Sequence, residues 1–262
     1  MPPPASRRFV LQWEDSFAVL LLYVDHQGKV SADFLEGFQV GDILGSTVAP
    51  NGDQDRFVVN VDNRLIVLRS DGSAVAHVFK REGGHPDFGP FTIRPPVATS
   101  GATIGASPDQ ARFVGRMMDR RLFVVHPNGG VLAYDVIPDG DGALIQPPIA
   151  FGGATVATDD DVLFVVGMMF QIVLVRRDGS VISYLTGADN TLLPPVTMTG
   201  PKIELSPQGG DFVVTMGTSN SFTPGPQFSL IVIRRDGSVV GHRLSSNNTV
   251  SAPFAVPMQA PS

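Results

Sequence analysis

Apolar residues in this chain come in short runs separated by turns, not at helical spacing. The sharpest marker is a tight turn at Asp71-Gly72, Asn128-Gly129, Asp178-Gly179 and Asp236-Gly237, with a weaker form at Gln27-Gly28. Asp-Gly or Asn-Gly between apolar runs marks a two-residue hairpin, because both central residues need positive φ. Aligned on the turn glycine, the five copies match without gaps. Seven residues earlier stand Leu21, Leu65, Leu122, Ile172 and Leu230, six earlier Leu22, Ile66, Phe123, Val173 and Ile231, and four earlier Val24, Leu68, Val125, Val175 and Ile233. So continuous an apolar run predicts a strand covered on both faces. After the turn the pattern alternates. Four residues on come Ala32, Ala76, Ala133, Ser183 and Gly241, all small, then Asp33, His77, Tyr134, Tyr184 and His242. That predicts a strand with two unlike faces, one of them closely approached by a neighbour.

Upstream, every copy carries a Phe-Val pair: Phe9-Val10, Phe57-Val58, Phe113-Val114, Phe164-Val165 and Phe212-Val213. Before it come polar turns such as Ala49-Pro50-Asn51-Gly52, Ser107-Pro108-Asp109 and Ser206-Pro207-Gln208, and earlier still a short segment such as Ala102 to Ala106. The unit reads as strand a (the short segment), turn, strand b (Phe-Val), loop, strand c, hairpin, strand d, loop. Turn glycines recur 44, 57, 50 and 58 residues apart. Four short antiparallel strands in about 50 residues make one blade of a β-propeller. The expected fold is all-β: a single domain over 1–262, a five-bladed propeller with units near 1–40, 41–96, 97–148, 149–195 and 196–262.

Ser107-Pro108-Asp109, Arg112-Phe113-Val114, Leu122-Phe123-Val124-Val125 and Asn128-Gly129 resemble the YVTN/TolB-like class of propeller repeats. The five-unit count is similar to that of tachylectin-like lectin propellers. Such a resemblance implies a blade, not an activity. The first unit starts at strand b, with eight residues before Phe9. Either that blade has three strands, or the C-terminal tail around Ala252–Val256 closes it, or a second copy of the chain completes it as a homo-oligomer.

Composition narrows the function. The 28 Gly and 22 Pro, spread along the chain, suit many turns. A net charge of −6 with no cluster of Lys and Arg argues against a nucleic-acid partner. With no cysteine, disulfides, thiol catalysis and Cys-based metal sites are excluded. The longest apolar stretch, Phe17–Val24, has eight residues, a strand and not a membrane span, and no signal peptide is evident. A complete sequence of this kind is expected to be soluble and cytoplasmic.

No cofactor motif is present, so no cofactor or metal is expected. Asp139-Gly140-Asp141-Gly142 and Asp159-Asp160-Asp161 lack the distal Glu of a calcium loop. A hydrolase would need two carboxylates facing the channel. On the segments read as inner strands, Gly101–Gly105, Gly153–Ala157 and Lys202–Leu205, only Glu204 is acidic. Variable loops on a rigid scaffold are where binding concentrates. The b–c and d–a loops vary most and share one face, which makes Trp13, Asp62, Asn63, His85, Asp87, Arg116, Asp119, Asp141, Asp189, Asn190, Asn247 and Asn248 the candidate binding residues. A Trp face stacks on a sugar ring, and Asn and Asp hydrogen-bond its hydroxyls. The expected function is a non-enzymatic binding module, most concretely a multivalent lectin. The alternatives are a protein-interaction or assembly scaffold, for which Met168-Met169-Phe170 is an apolar tip, and a glycosidase- or lactonase-type hydrolase.

Overall fold

The computed structural model describes residues 7–14, 18–37, 43–82, 90–117, 120–218, 227–245 and 247–256. Among the described residues the chain forms five blade sheets built on antiparallel strands, and Gly152–Gly153 pairs with Thr191–Leu192 in a further two-stranded parallel sheet. Blade 1 contains Arg7–Glu14, Ala18–Asp25 and Val30–Gly37. Blade 2 contains Asp55–Val61, Arg64–Arg69, Ala74–Arg81 and Val97–Ala98. Blade 3 runs Phe113–Met117, Arg121–Val125, Val131–Asp139 and Ile149–Ala150. Blade 4 runs Val162–Met168, Gln171–Arg176, Val181–Leu185 and Val196–Thr197. Blade 5 runs Phe212–Thr218, Gln227–Ile233, Val239–Leu244 and Phe254–Ala255. In each blade the Phe-Val strand is innermost, and the five of them surround the axis.

Two expectations about strand order are corrected. Ala102–Ala106 is not a strand, and neither are its counterparts; the innermost strand is the one read as b. The segment instead crosses to the next blade, with Ala102 N donating to Ile145 O at 2.8 Å and Ile104 N to Gly72 O at 3.2 Å. The fourth strand of a blade is the two-residue strand that follows the third. The C-terminal tail obeys the same rule. Phe254–Ala255 pairs with Val240–Gly241 of blade 5, so it completes the last blade and does not close the first. Blade 1 has three strands among the described residues, and residues 38–42, next in order after its third strand, lie outside them.

The continuous apolar strand now has a cause. Its side chains alternate between the two junctions that flank a blade. In blade 2, Leu65 and Val67 pack toward blade 1, while Ile66 and Leu68 pack toward blade 3. Five such clusters fill the five junctions. The last joins Leu21 and Tyr23 of blade 1 to Val214, Ile231 and Ile233 of blade 5, so the ring closes within one chain by side-to-side packing. Each buried Leu, Ile or Val adds roughly 1.5–3 kcal/mol relative to exposure. The small column is explained by the outer strand: Ala76, Ala133, Ser183 and Gly241 stand opposite Val97, Ile149, Val196 and Phe254. At Gly241 a side chain would meet the Phe254 ring at 2.3 Å.

Arginines tie the first three blades each to the next. Arg8 Nη1 donates to Ala49 O at 2.8 Å, Arg56 Nη1 to Ala106 O at 3.0 Å and Arg112 Nη2 to Asp159 O at 3.2 Å. All three arginines directly precede the Phe of their own inner strand and reach the turn that leads into the following blade.

Candidate functional site

Antiparallel order puts the b–c turns and the hairpin tips after the third strands at one end of the strands, and the Asp-Gly turns at the other. At the first end, three blade junctions carry polar contacts to a hairpin tip, two through arginine side chains and one through the backbone. Between blades 2 and 3, Arg64 donates from Nε to Gly142 O and from Nη2 to Gly140 O, both at 2.8 Å. Arg64 also faces Asp62 at 3.8 Å, and Arg94 pairs with Asp141 on the hairpin tip. Between blades 3 and 4, Arg121 grips Asp135 bidentately at 2.7 and 3.1 Å and donates to Asn190 Oδ1 at 3.2 Å. Between blades 4 and 5, Thr199 N donates to Asn248 O at 2.9 Å.

The tips themselves are exposed or half-buried. Asp189 accepts from the Thr191 hydroxyl at 2.6 Å, which holds its carboxyl below the usual carboxylate range. Asn247 Oδ1 accepts from Thr249 Oγ1 at 2.9 Å. Asp62, Asn190 and Asn248 adopt positive φ of 54°, 58° and 60°, a conformation their short polar side chains tolerate. Asn63 is exposed at the b–c turn of blade 2. Thus Asp62, Asn63, Asp141, Asp189, Asn190, Asn247 and Asn248 share one end of the ring but fall into separate junctions. His85, Asp87 and Asp119 lie outside the described residues.

Two candidates sit elsewhere. Trp13 is 2% exposed and packs edge-on against Phe79 and Phe91, with centroids at 5.2 and 5.0 Å. Its ring belongs to the core between blades 1 and 2, so no face is left for a sugar, which corrects the expectation for this residue. Arg116 lies on an inner strand and lines the axial channel.

That channel has a volume of about 160 Å³. Its wall takes the Val that follows each inner-strand Phe, then, two residues on, Gln12, Asn60, Arg116, Gly167 and Thr215. No carboxylate lines it among the described residues. Glu204 stands on an exposed connection, paired with Arg234 at 3.0 Å. Among the described residues, no group of three or more His, Asp or Glu stands close enough to hold a metal ion. Nor is any helix there long and apolar enough to cross a membrane.

Sequence reasoning missed a second cavity of about 290 Å³ between blades 1 and 2. Asp55, Arg69 and His77 stand in its wall. Asp55, 1% exposed, accepts from Asn51 N at 2.9 Å and Arg69 Nε at 3.1 Å, while His77 Nδ1 lies 3.2 Å from Arg94 O. The column Asp33, His77, Tyr134, Tyr184 and His242 is buried throughout. The Met168–Phe170 tip divides: Met168 is in the core, whereas Met169 and Phe170 are exposed.

These sheets and junctions define a five-bladed β-propeller. No known family profile matches the chain, and no curated protein matches it. Among solved structures it is similar to the SapL1 lectin in complex with alpha methyl fucoside, at 10% identity over 97% of this chain and 84% of that one, with a TM-score of 0.45. It is similar to the BP39L lectin of Burkholderia pseudomallei at 14% identity, over 95% and 69% of the two chains, TM-score 0.45. It is also similar to an Aleuria aurantia lectin mutant in complex with alpha-methyl-L-fucoside at 12% identity, over 94% and 76%, TM-score 0.45. At these scores the likeness assigns no ligand, and the architecture stands on the sheets described above.

Proposed function

We propose that this protein is a non-enzymatic binding module that takes carbohydrate at repeated polar clefts on its loop face. The observation that carries the reading is the recurrence of one arrangement at three successive junctions, where a hairpin tip bearing Asp141, Asp189-Asn190 or Asn247-Asn248 meets the preceding blade or the segment leaving it. Carboxylates and amides accept from sugar hydroxyls, amides and guanidinium forks donate to them, and the tips are already held in place. Near-equivalent weak sites on one rigid ring favour multivalent binding to a glycan surface. A glycan-array screen tests the proposal. The wild-type protein is expected to bind a defined sugar class, and Asp141→Ala and Asn190→Ala to weaken that binding. Absence of any glycan signal would sink it.

A second reading, a protein-interaction scaffold, rests on a different observation. Met169 and Phe170 are 43% and 52% exposed, and Leu185 and Leu193 beside them are also exposed. Leu193 N donates to Leu185 O, and Thr186 N to Phe170 O, so the four lie together on blade 4. Exposed apolar clusters of this sort mark protein contacts. Light scattering discriminates: a mass above the 27.9 kDa of one chain that falls to the single-chain value in Phe170→Ser supports the scaffold.

A further inference from the structure

The geometry points to a ligand site in the cavity between blades 1 and 2, shaped for a small neutral molecule that carries a hydroxyl on an apolar ring, a simple phenol, with His77 taking the hydroxyl. The site does not rest on the carbohydrate reading, since it uses none of the tip residues.

The repeat itself shows that this junction is built differently from its copies. In blade 2, Asp55 stands opposite Arg69, Val67 opposite Val75 and Leu65 opposite His77. In blade 4 the same registers set Val162 opposite Arg176, Leu174 opposite Ile182 and Ile172 opposite Tyr184. Asp55, Val67, Val75 and His77 therefore hold the places that Val162, Leu174, Ile182 and Tyr184 hold two blades on. In blade 4 these four close the junction. Val162, Leu174 and Tyr184 belong to its core, Ile182 packs against them, and the Tyr184 hydroxyl accepts from Ala157 N at 3.1 Å. In blade 2 each of the four is shorter or polar, and a cavity of about 290 Å³ lies among them. An apolar cavity of about 150 Å³ already admits benzene, so a six-membered ring has room. Packing given up at one junction of a repeat and kept at another marks a site, not the scaffold.

The wall sets the chemistry. Ala49, Pro50, Val67, Val75 and Pro96 supply apolar surface. Asp55 and Arg69 pair at 3.1 Å, so their charges cancel and neither an anion nor a cation is favoured. His77 Nδ1 lies 3.2 Å from Arg94 O, a group that only accepts, so the ring proton sits on Nδ1. Burial pushes the imidazole below its ordinary range, which keeps it neutral. Nε2 then carries a lone pair. It makes no hydrogen bond among the described residues, yet it is not sealed from solvent. An acceptor without a donor, in the wall of a mostly apolar cavity, calls for a ligand hydroxyl.

Ligand-observed NMR titration with p-cresol, toluene and methyl α-D-glucoside tests this. p-Cresol is a tyrosine side chain without its backbone, and toluene is the same ring with no hydroxyl. p-Cresol is expected to bind saturably, one per chain, at least about threefold tighter than toluene, an order that hydrophobicity alone would reverse. The glucoside is expected not to displace it. His77→Tyr, which puts the phenol on the chain itself, is expected to abolish p-cresol binding. Val75→Ile restores only the larger side chain of blade 4 and changes no polar group. It is expected to weaken p-cresol by at least about threefold, and it guards against a folding artefact. No saturable binding of p-cresol, or unchanged binding in both variants, would overturn the site. Toluene binding as tightly as p-cresol would overturn the role given to His77 Nε2. Displacement of p-cresol by the glucoside would overturn the choice of a phenol and make the cavity a sugar site.

Discussion

The two ends of the propeller are built from the same strands yet follow different rules. At the Asp-Gly end the turns are copies of one another. Asp71, Asn128, Asp178 and Asp236 each accept from the backbone N–H two residues on, at 2.8, 3.0, 2.9 and 2.8 Å. At Gly72, Gly129 and Gly179 the backbone of a crossing segment then donates to the turn glycine's carbonyl. At the loop end no two tips share a sequence, and side-chain contacts such as those of Arg64 and Arg121 add to the backbone bonds across the junctions. Repetition at one end holds the ring; variation at the other leaves surface that is free to specialise.

The comparison breaks or sharpens under substitution. The largest effect is expected from one change made at both ends. Gly179 has φ of +78°, and a Cβ there would stand 2.1 Å from Ile203 O. Gly179→Ala should therefore cost about 3 kcal/mol and lower Tm by roughly 10 °C. On the loop face, Gly140 has φ of +56° but nothing within 4 Å, so Gly140→Ala should cost only about 1 kcal/mol. Equal losses in thermal unfolding would erase the distinction between the ends.

Next comes Asp55, buried at the blade 1–2 junction. Asp55→Ala strands the Asn51 N–H and loosens Arg69, and should cost about 2 kcal/mol in urea unfolding. A loss below about 0.5 kcal/mol would mean the junction does not depend on this carboxylate.

A smaller effect comes from the buried histidines. Burial holds His77 and His242 below the ordinary imidazole range. As pH falls, the unfolded chain therefore binds protons before the folded one does. Stability should be flat above about pH 6.5 and decline below it, by at most about 1.4 kcal/mol per pH unit for each histidine, until the folded-state groups titrate. His77→Gln should flatten part of that decline between pH 7 and 5.5, and an unchanged slope would remove His77 from the account.

The smallest effect on stability belongs to the loop face. Asp141 and Arg94 are each close to half exposed, so Asp141→Ala should shift unfolding by less than about 0.5 kcal/mol while it weakens glycan binding.

How far the sequence could be read follows the same division. The apolar second strand, the small column and the Phe-Val strand were legible because each repeats the same local environment five times. The starting point of the blade was not, since a repeat fixes a period but not a phase. Ala102–Ala106 alternates like a strand yet hydrogen-bonds to two different blades, and only the three-dimensional path shows it. Trp13 was misjudged because it lies near a loop in sequence, whereas its place in the strand turns it toward Phe79 and Phe91. The arginine ties were invisible for another reason. Arg64 meets Gly140 across 76 residues, a distance that no local pattern encodes.

The most direct test of the central claim is the number of sugars bound per chain, measured by calorimetric titration with a monosaccharide selected on the array. Polar contacts to a hairpin tip are present at three described junctions. The account predicts about three equivalents per chain, with one lost in Asn190→Ala, as expected for repeated sites on a ring. A single equivalent that Asn190→Ala and Asp141→Ala leave untouched would contradict it.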